Sequence, residues 1–283
     1  MKVITLITPK SLGDNIIASR QPQMLHEAGY KVYIARHTKF KPEIYDFLWG
    51  KNPYVSGRRS IQEDDIICGA FGKWTIPHFP PHVGEYAKEV DLALDEYIYT
   101  LPFPEDVETN NNRRNTIFYK PQIIPELADV TIVDTNISSY RISEPDNPAV
   151  VYYNKKDMDS INDFVSTLSN VRWVRAHKYN DHYMNLASTS LASPRKWVSY
   201  GDISSYCDII ASCKDFYCLH TGSFLLAQTV RPIDSIYCFV PEESVLANGE
   251  NYLGKRLHDI ACWNLQKHIG DNTTHELAKA IHV

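Results

Sequence analysis

Hydrophobic positions along the first 70 residues alternate between short continuous runs and amphipathic stretches, the signature of strands and helices in turn. Residues 3–7 form an apolar run that predicts a buried parallel strand. A turn of small and polar residues follows, and then a helix over residues 15–28 that stops at Gly29, the residue best suited to end it. A second strand is predicted at residues 31–35 and a helix at 42–49, closed by Asn52-Pro53. A third short strand is expected at residues 65–68. Strand, short loop, helix and strand in this rhythm imply right-handed crossovers and a parallel sheet.

The middle of the chain is less regular. Residues 72–86 are dense in Gly, Pro, His and aromatics and read as a functional loop, while 105–114 is a solvated connector. Residues 116–119 and 130–134 have β-rich apolar cores. Pro145 to Pro148 is the expected domain boundary, which gives domains of residues 1–146 and 147–283. The second half restarts the rhythm: strand 149–153, helix 160–168, strands 171–176 and 197–200, helix 203–213, strand 216–219, helix 224–230 and strand 235–240. A closing amphipathic helix is expected over residues 273–281, with room to cross back over the first domain. The fold class this predicts is α/β, with two Rossmann-like doubly wound parallel sheets.

A chain of 283 residues, 43% hydrophobic and 22% charged, is long enough for two such cores. The formal charge of -5 argues against a general nucleic-acid coat, which needs an excess of Lys and Arg to release phosphate counterions. Six cysteines carry no C-x-x-C pair, so they signal neither a zinc site nor a redox dithiol and read as reduced core residues. The first eight residues are too short for a signal-peptide core, and no run reaches the roughly 18 apolar residues of a membrane span. The expected compartment is the cytoplasm.

Two turns stand out as candidate chemistry. Ser11-Leu12-Gly13-Asp14-Asn15 lies between a strand and a helix, where backbone N–H groups and the helix dipole favour an anion or a polarised hydroxyl. Asp14 there serves either as a helix cap or as a base that takes a proton from an attacking hydroxyl. His220-Thr221-Gly222-Ser223 occupies the same kind of turn, with two hydroxyls and a glycine suited to a pyrophosphate; capping by Thr221 or Ser223 is the plainer reading.

Taken together the two turns resemble the glycosyltransferase family that includes the ADP-heptose heptosyltransferases. The N-terminal match is Lys10-Ser11-Leu12-Gly13-Asp14 with Pro22 and Leu25 beyond it. The C-terminal match is Asp202-Ile203, Ile209-Ile210-Ala211, Cys213-Lys214-Asp215, Thr221-Gly222 and Leu226-Ala227. The resemblance implies a GT-B fold of two Rossmann-like domains facing across a cleft, an N-terminal acceptor domain and a C-terminal domain for the nucleotide sugar. It implies inverting transfer with no metal and no cofactor, the sugar nucleotide acting as co-substrate. Asp14 would then be the general base, and His220, Thr221, Gly222 and Ser223 would face the donor diphosphate. Lys155 or Lys156 would add positive charge for the leaving group. Gly13, Asn15, Trp74, His78 and His82 would line the acceptor site. The sequence departs from the family where an acidic residue before Thr-Gly is His220 and a following His is Leu225. These changes leave the donor sugar open, as hexosyl, pentosyl or heptosyl.

Other signals carry less. Asp157-Met158-Asp159 has the spacing of a metal-binding D-x-D pair, but it precedes an apolar helix, where capping by Asp159 or Ser160 with a solvated Asp157 is the expected role. His78 and His82 are four apart, and Pro80 and Pro81 between them forbid the helix that would make them zinc ligands. The aromatic loop at residues 74–86 either stacks on a sugar or base or packs on itself. Arg58-Arg59 and Arg113-Arg114 either meet an anionic acceptor or are solvated. Three functions follow: transfer to a glycan, transfer to a hydroxymethylated base in DNA as in small viral enzymes, or a non-catalytic GT-B-like binding protein.

Overall fold

In the computed structural model the described residues are 2–8, 12–36, 41–62, 66–69, 116–137, 155–176, 184–185, 196–219, 221–240 and 279–282. They fall into two units, Met1–Lys120 and Pro121–Val283.

The first unit holds four parallel strands, β1 (Lys2–Ile7), β2 (Tyr30–Ala35), β3 (Val55–Arg59) and β4 (Ile66–Gly69), in the order β3-β2-β1-β4. β1 is central, paired with β2 on one side and β4 on the other, and Ile4, Thr5 and Leu6 are all fully buried. A strand covered on both faces needs a continuous rather than alternating apolar run, which is why residues 3–7 read as they do. β3 escaped the sequence reading because Val-Ser-Gly-Arg-Arg is largely polar. An edge strand pairs on one side only and tolerates that composition; here its register on β2 shifts between Val32 and Ile34.

The single helix expected over 15–28 is two helices, α1 (Leu12–Ala18) and α2 (Gln21–Glu27). Pro22 in the first turn of α2 has no N–H to continue the α1 ladder, and the chain tightens where the Ser19 amide donates to the Ile16 carbonyl (3.1 Å). Gly29 ends α2 as expected, at φ 88° in the left-handed region. The next helix starts with one α turn, α3 (Pro42–Ile44), and continues as a π turn, Tyr45–Trp49, that ends where Gly50 donates to the Tyr45 carbonyl (2.7 Å).

The second unit is built on β5 (Thr131–Asp134), β7 (Val171–Ala176), β9 (Trp197–Tyr200), β10 (Asp215–Leu219), β11 (Ile236–Val240) and β12 (Lys279–His282). All are parallel, in the order β12-β11-β10-β5-β7-β9. Counted along the chain that is 6-5-4-1-2-3, the doubly wound Rossmann order, with its reversal between β5 and β10. Two-residue strands β6 (Asn136–Ile137) and β8 (Met184–Asn185) pair antiparallel beside it. Its helices are α4 (Lys155–Ser166), α5 (Ile203–Ser212) and α6 (Gly222–Val230). α4 contributes Met158, Ile161 and Val165, spaced three and four apart, to a core with Val133, Trp173, Tyr217, Leu219 and Phe239. Burying each such aliphatic side chain stabilises the fold by about 2 kcal/mol.

Several sequence expectations are corrected here. The units divide between Lys120 and Pro121, earlier than the 146/147 boundary, because β5 pairs with β10 and β7 and so lies in the second sheet. Residues 116–119 form no strand. Residues 279–282 are not the end of a helix that returns to the first domain; they extend the second sheet as β12 on β11. α4 begins at Lys155, so Asp159 and Ser160 sit inside it and do not cap it, and Asp157 is buried rather than solvated. The strand expected at 149–153 lies outside the described residues. No described helix is long and apolar enough to cross a membrane.

Candidate functional site

The second predicted turn connects β10 to α6. Leu219 is fully buried at the end of β10, and its carbonyl accepts from the Thr221 amide (2.8 Å), which turns the chain sharply at the sheet's carboxyl end. Thr221 is the N-cap of α6: its backbone is extended, its carbonyl accepts from Phe224 (3.0 Å), and its side chain accepts from the Ser223 amide (3.4 Å). The two hydroxyls touch, Thr221 Oγ1 lying 2.6 Å from Ser223 Oγ. Capping, the plainer reading of this turn, is therefore real. It is compatible with an anion at the helix terminus, since capping uses only part of the donor set there.

Behind this turn lies a group the sequence reading missed. Asp134 ends β5 and is 2% exposed. Its carboxylate accepts from the Asn136 amide (2.8 Å), from Asn136 Nδ2 (2.6 Å) and from the Tyr206 hydroxyl of α5. Asn136 Nδ2 also donates to the Val174 carbonyl (3.2 Å) of β7, so one side chain ties β5 to β7. Tyr206 is itself buried and stacks on Tyr200 with ring centroids 4.5 Å apart. Burial pushes the Asp134 carboxyl above the usual carboxylate range, against the opposing pull of its hydrogen bonds. Burial and the neighbouring Asp134 charge push the Tyr206 hydroxyl well up. The visible signal was an acid ending an apolar strand, Thr131-Ile132-Val133-Asp134. Assigning that strand to the first half hid its proximity to Thr221-Gly222-Ser223.

The first predicted turn leads from β1 into α1, which carries Gly13, Asp14 and Asn15. The Asp14 side chain lies outside the described residues, as do Lys10 and Ser11. Gly13 is buried. Asn15 is 1% exposed and its Oδ1 accepts from the indole of Trp49 (2.8 Å), itself 1% exposed. Asn15 is thus an anchor of α1 on the π turn. Ser19 at the end of α1 is held in turn: its carbonyl accepts from Asn52 Nδ2 (3.3 Å) and its hydroxyl from the Thr116 amide (3.0 Å).

The remaining predicted residues are placed unevenly. Lys155 and Lys156 open α4, but their side chains lie outside the described residues, as do His220, Trp74, His78 and His82 entirely. Thr221, Gly222 and Ser223 are brought together as expected. Cys207, Cys213, Cys218 and Cys238 are free and buried, in keeping with reduced core residues. Burial pushes the Cys207 thiol up to about 12. Arg59 at the end of β3 is not simply solvated: its guanidinium lies over the Tyr33 ring (4.5 Å) and donates to Thr5 Oγ1 (3.4 Å).

No protein-family model and no curated protein sequence matches the chain. Solved structures do resemble it. The iron-containing dodecameric glycosyltransferase TibC from enterotoxigenic E. coli aligns over 89% of this chain and 64% of its own, at 14% identity and TM-score 0.49. A glycosyl transferase of family 9 from Veillonella parvula aligns over 100% and 85%, at 9% identity and TM-score 0.48. E. coli heptosyltransferase WaaC, bound to ADP-2-deoxy-2-fluoro heptose, aligns over 94% and 98%, at 8% identity and TM-score 0.48. The chain spans less than two thirds of the length of the TibC structures, 64% and 57% of the two.

One expectation is corrected by these comparisons. The sequence reading had no metal and no cofactor, whereas TibC is described as iron-containing, so metal independence is withdrawn. Among the described residues no group of three or more His, Cys, Asp or Glu side chains is arranged to hold a metal ion.

Proposed function

We propose that the chain is a GT-B glycosyltransferase that moves a sugar from a nucleoside-diphosphate donor to an acceptor hydroxyl, with inversion at the anomeric carbon. The observation that carries this reading is topological. Each unit is a parallel sheet whose strand order reverses beside its first strand, at β1/β4 in one and β5/β10 in the other. Open α/β sheets bind ligands outside the carboxyl ends of their strands at such reversals. Both family-like turns fall there, one after β1 and the other after β10.

In this reading the α6 turn binds the donor diphosphate through Thr221, Gly222 and Ser223, using backbone N–H groups and the positive helix end. Lys155 or Lys156 supplies charge to the departing nucleotide. Asp14 takes the proton of the acceptor hydroxyl as that oxygen attacks the anomeric carbon. Bond making to the acceptor and bond breaking to the diphosphate on opposite faces give the inverted product. The acceptor is a glycan, and the first unit holds it.

Thermal shift with a panel of ADP-, GDP-, UDP-, dTDP- and CDP-sugars tests the donor half, because a ligand that binds only the native state raises its stability. One class of nucleotide sugar should raise the midpoint and then release its diphosphate when a glycan acceptor is added. Release that depends instead on hydroxymethylated DNA would transfer the reading to the base-modifying alternative. Stabilisation without release under any acceptor would favour the binding-protein alternative. No stabilisation by any sugar nucleotide would overturn the proposal.

A further inference from the structure

Two tyrosines stack at the carboxyl end of the second sheet. Tyr200 is the last residue of β9, and its ring lies on that of Tyr206 in the first turn of α5, with centroids 4.5 Å apart and planes 27° from parallel. Tyr206 is buried, whereas Tyr200 keeps part of its surface exposed. The inner ring is held from its far end: the Tyr206 hydroxyl donates to the Asp134 carboxylate, which also accepts from the Asn136 amide and side chain. The turn between the two rings is fixed as well. Ser205 Oγ accepts from the amides of Gly201 (3.1 Å) and Asp202 (3.0 Å), and Asp202 Oδ1 accepts from the Ser205 amide (2.7 Å), a capping box. An aromatic pair held this firmly loses little further freedom when a third ring is laid on it.

Strand register brings the pair to the level of the α6 turn. Val133 of β5 is in register with Tyr217 of β10 and with Trp173 of β7, and Trp173 with Trp197 of β9. Asn136, Ala176 and Tyr200 each stand three residues beyond that row, and Thr221 four beyond it. Tyr200 thus shares the carboxyl rim of the sheet with the α6 turn, three strand spacings away, or about 14 Å at the usual separation. Tyr206 lies on α5, which packs on α6, so the stacked rings and the turn are on the same side of the sheet. A diphosphate at the turn, with its ribose laid along the rim over β5 and β7, carries its base to β9.

We propose that Tyr200 is the stacking platform for the nucleobase of the donor, with Tyr206 as its backing. The inference rests on the sugar-nucleotide reading of the α6 turn and adds the place where the base sits. Stacking on an aromatic ring needs no hydrogen bond, and every base has a π-face to offer. The platform therefore selects a nucleotide over bare pyrophosphate while discriminating little among bases.

The test compares nucleotides with a ligand that has no base. Dissociation constants of ADP, GDP, UDP and inorganic pyrophosphate are measured by calorimetry for the wild type, Tyr200→Phe, Tyr200→Leu and Tyr200→Met. Leu and Met keep apolar bulk against Tyr206 but remove the aromatic plane, and the second serves if the first does not fold. Either should weaken the nucleotides on the order of tenfold, the usual effect of losing one base stack, and leave pyrophosphate within about twofold of the wild type. Tyr200→Phe should bind all four as the wild type does. In NMR spectra the ring protons of the bound base should move upfield with the wild type and Tyr200→Phe, and by less with the other two. Nucleotide and pyrophosphate affinities that fall together in Tyr200→Leu or Tyr200→Met, nucleotide affinities that do not fall, or base protons that do not move in the wild type would overturn the platform alone. Failure of all four probes to bind the wild type would overturn the sugar-nucleotide reading, and the platform with it.

Discussion

Replacing Asn15 by Ala separates an anchor from a ligand-binding residue. The Asn15 side chain accepts a 2.8 Å bond from the Trp49 indole, and both residues are 1% exposed. Loss of a typical net hydrogen bond costs about 1 kcal/mol, and a buried N–H left without a partner costs roughly 1–3 kcal/mol; the two descriptions overlap, so about 2 kcal/mol is expected for the pair. At roughly 4 °C per kcal/mol for a domain of about 100 residues, the first unit should melt about 8 °C lower. Thermal unfolding followed by tryptophan fluorescence and calorimetry measures this. Trp49→Phe removes the indole donor, so Asn15→Ala in that background should cost about 1 kcal/mol less, a coupling within the range of contacting residues. An Asn15→Ala protein that melts with the wild type but binds acceptor poorly would refute the anchor and restore Asn15 to the acceptor surface.

Two further outcomes concern the second unit. Arg231 donates to the carbonyls of Ile210 (2.6 Å), Cys213 (3.1 Å) and Lys214 (2.7 Å) at the end of α5, and Arg231→Ala should cost about 3 kcal/mol by denaturant titration, with Arg231→Lys recovering only part because a single ammonium cannot span all three. Asp134 has a folded value raised above its unfolded value, so between about pH 4 and that raised value the unfolded chain has lost a proton the fold retains. Stability should therefore fall as pH rises through that window and level off above it, and the wild-type advantage over Asp134→Asn should shrink over the same window; an advantage that grows with pH would contradict the sign.

The sequence was most legible where one physical demand governed the pattern. β1 and β10 had to be apolar on both faces, and their runs could be placed within a residue. Gly29 had to end a helix in the left-handed region, and does. Legibility failed where pairing partners were remote in the chain. β5 could be read as a strand, but nothing local in Thr131–Asp134 says that its neighbours are β7 and β10, so the domain boundary was set too late and Asp134 was overlooked. β3 and β12 are edge strands with weak apolar patterns, and their identity as strands comes from the neighbour they pair with. Of the candidate site, the position of Thr221 to Ser223 at a strand-to-helix turn was legible because a capping hydroxyl and a glycine mark the start of a helix. The bond from Trp49 to Asn15 was not legible because a buried amide bonded to an indole and an amide facing a ligand look alike in a string of residues.

The central claim is group transfer with Asp14 as the base, and Asp14→Asn tests it most directly once a donor and acceptor have been found. Donor affinity by calorimetry and product formation by mass spectrometry are measured on the same preparation. A donor dissociation constant within about twofold of the wild type, with turnover reduced by at least the roughly 100-fold that a lost general base costs, is the expected pair. Turnover close to that of the wild type would contradict the account.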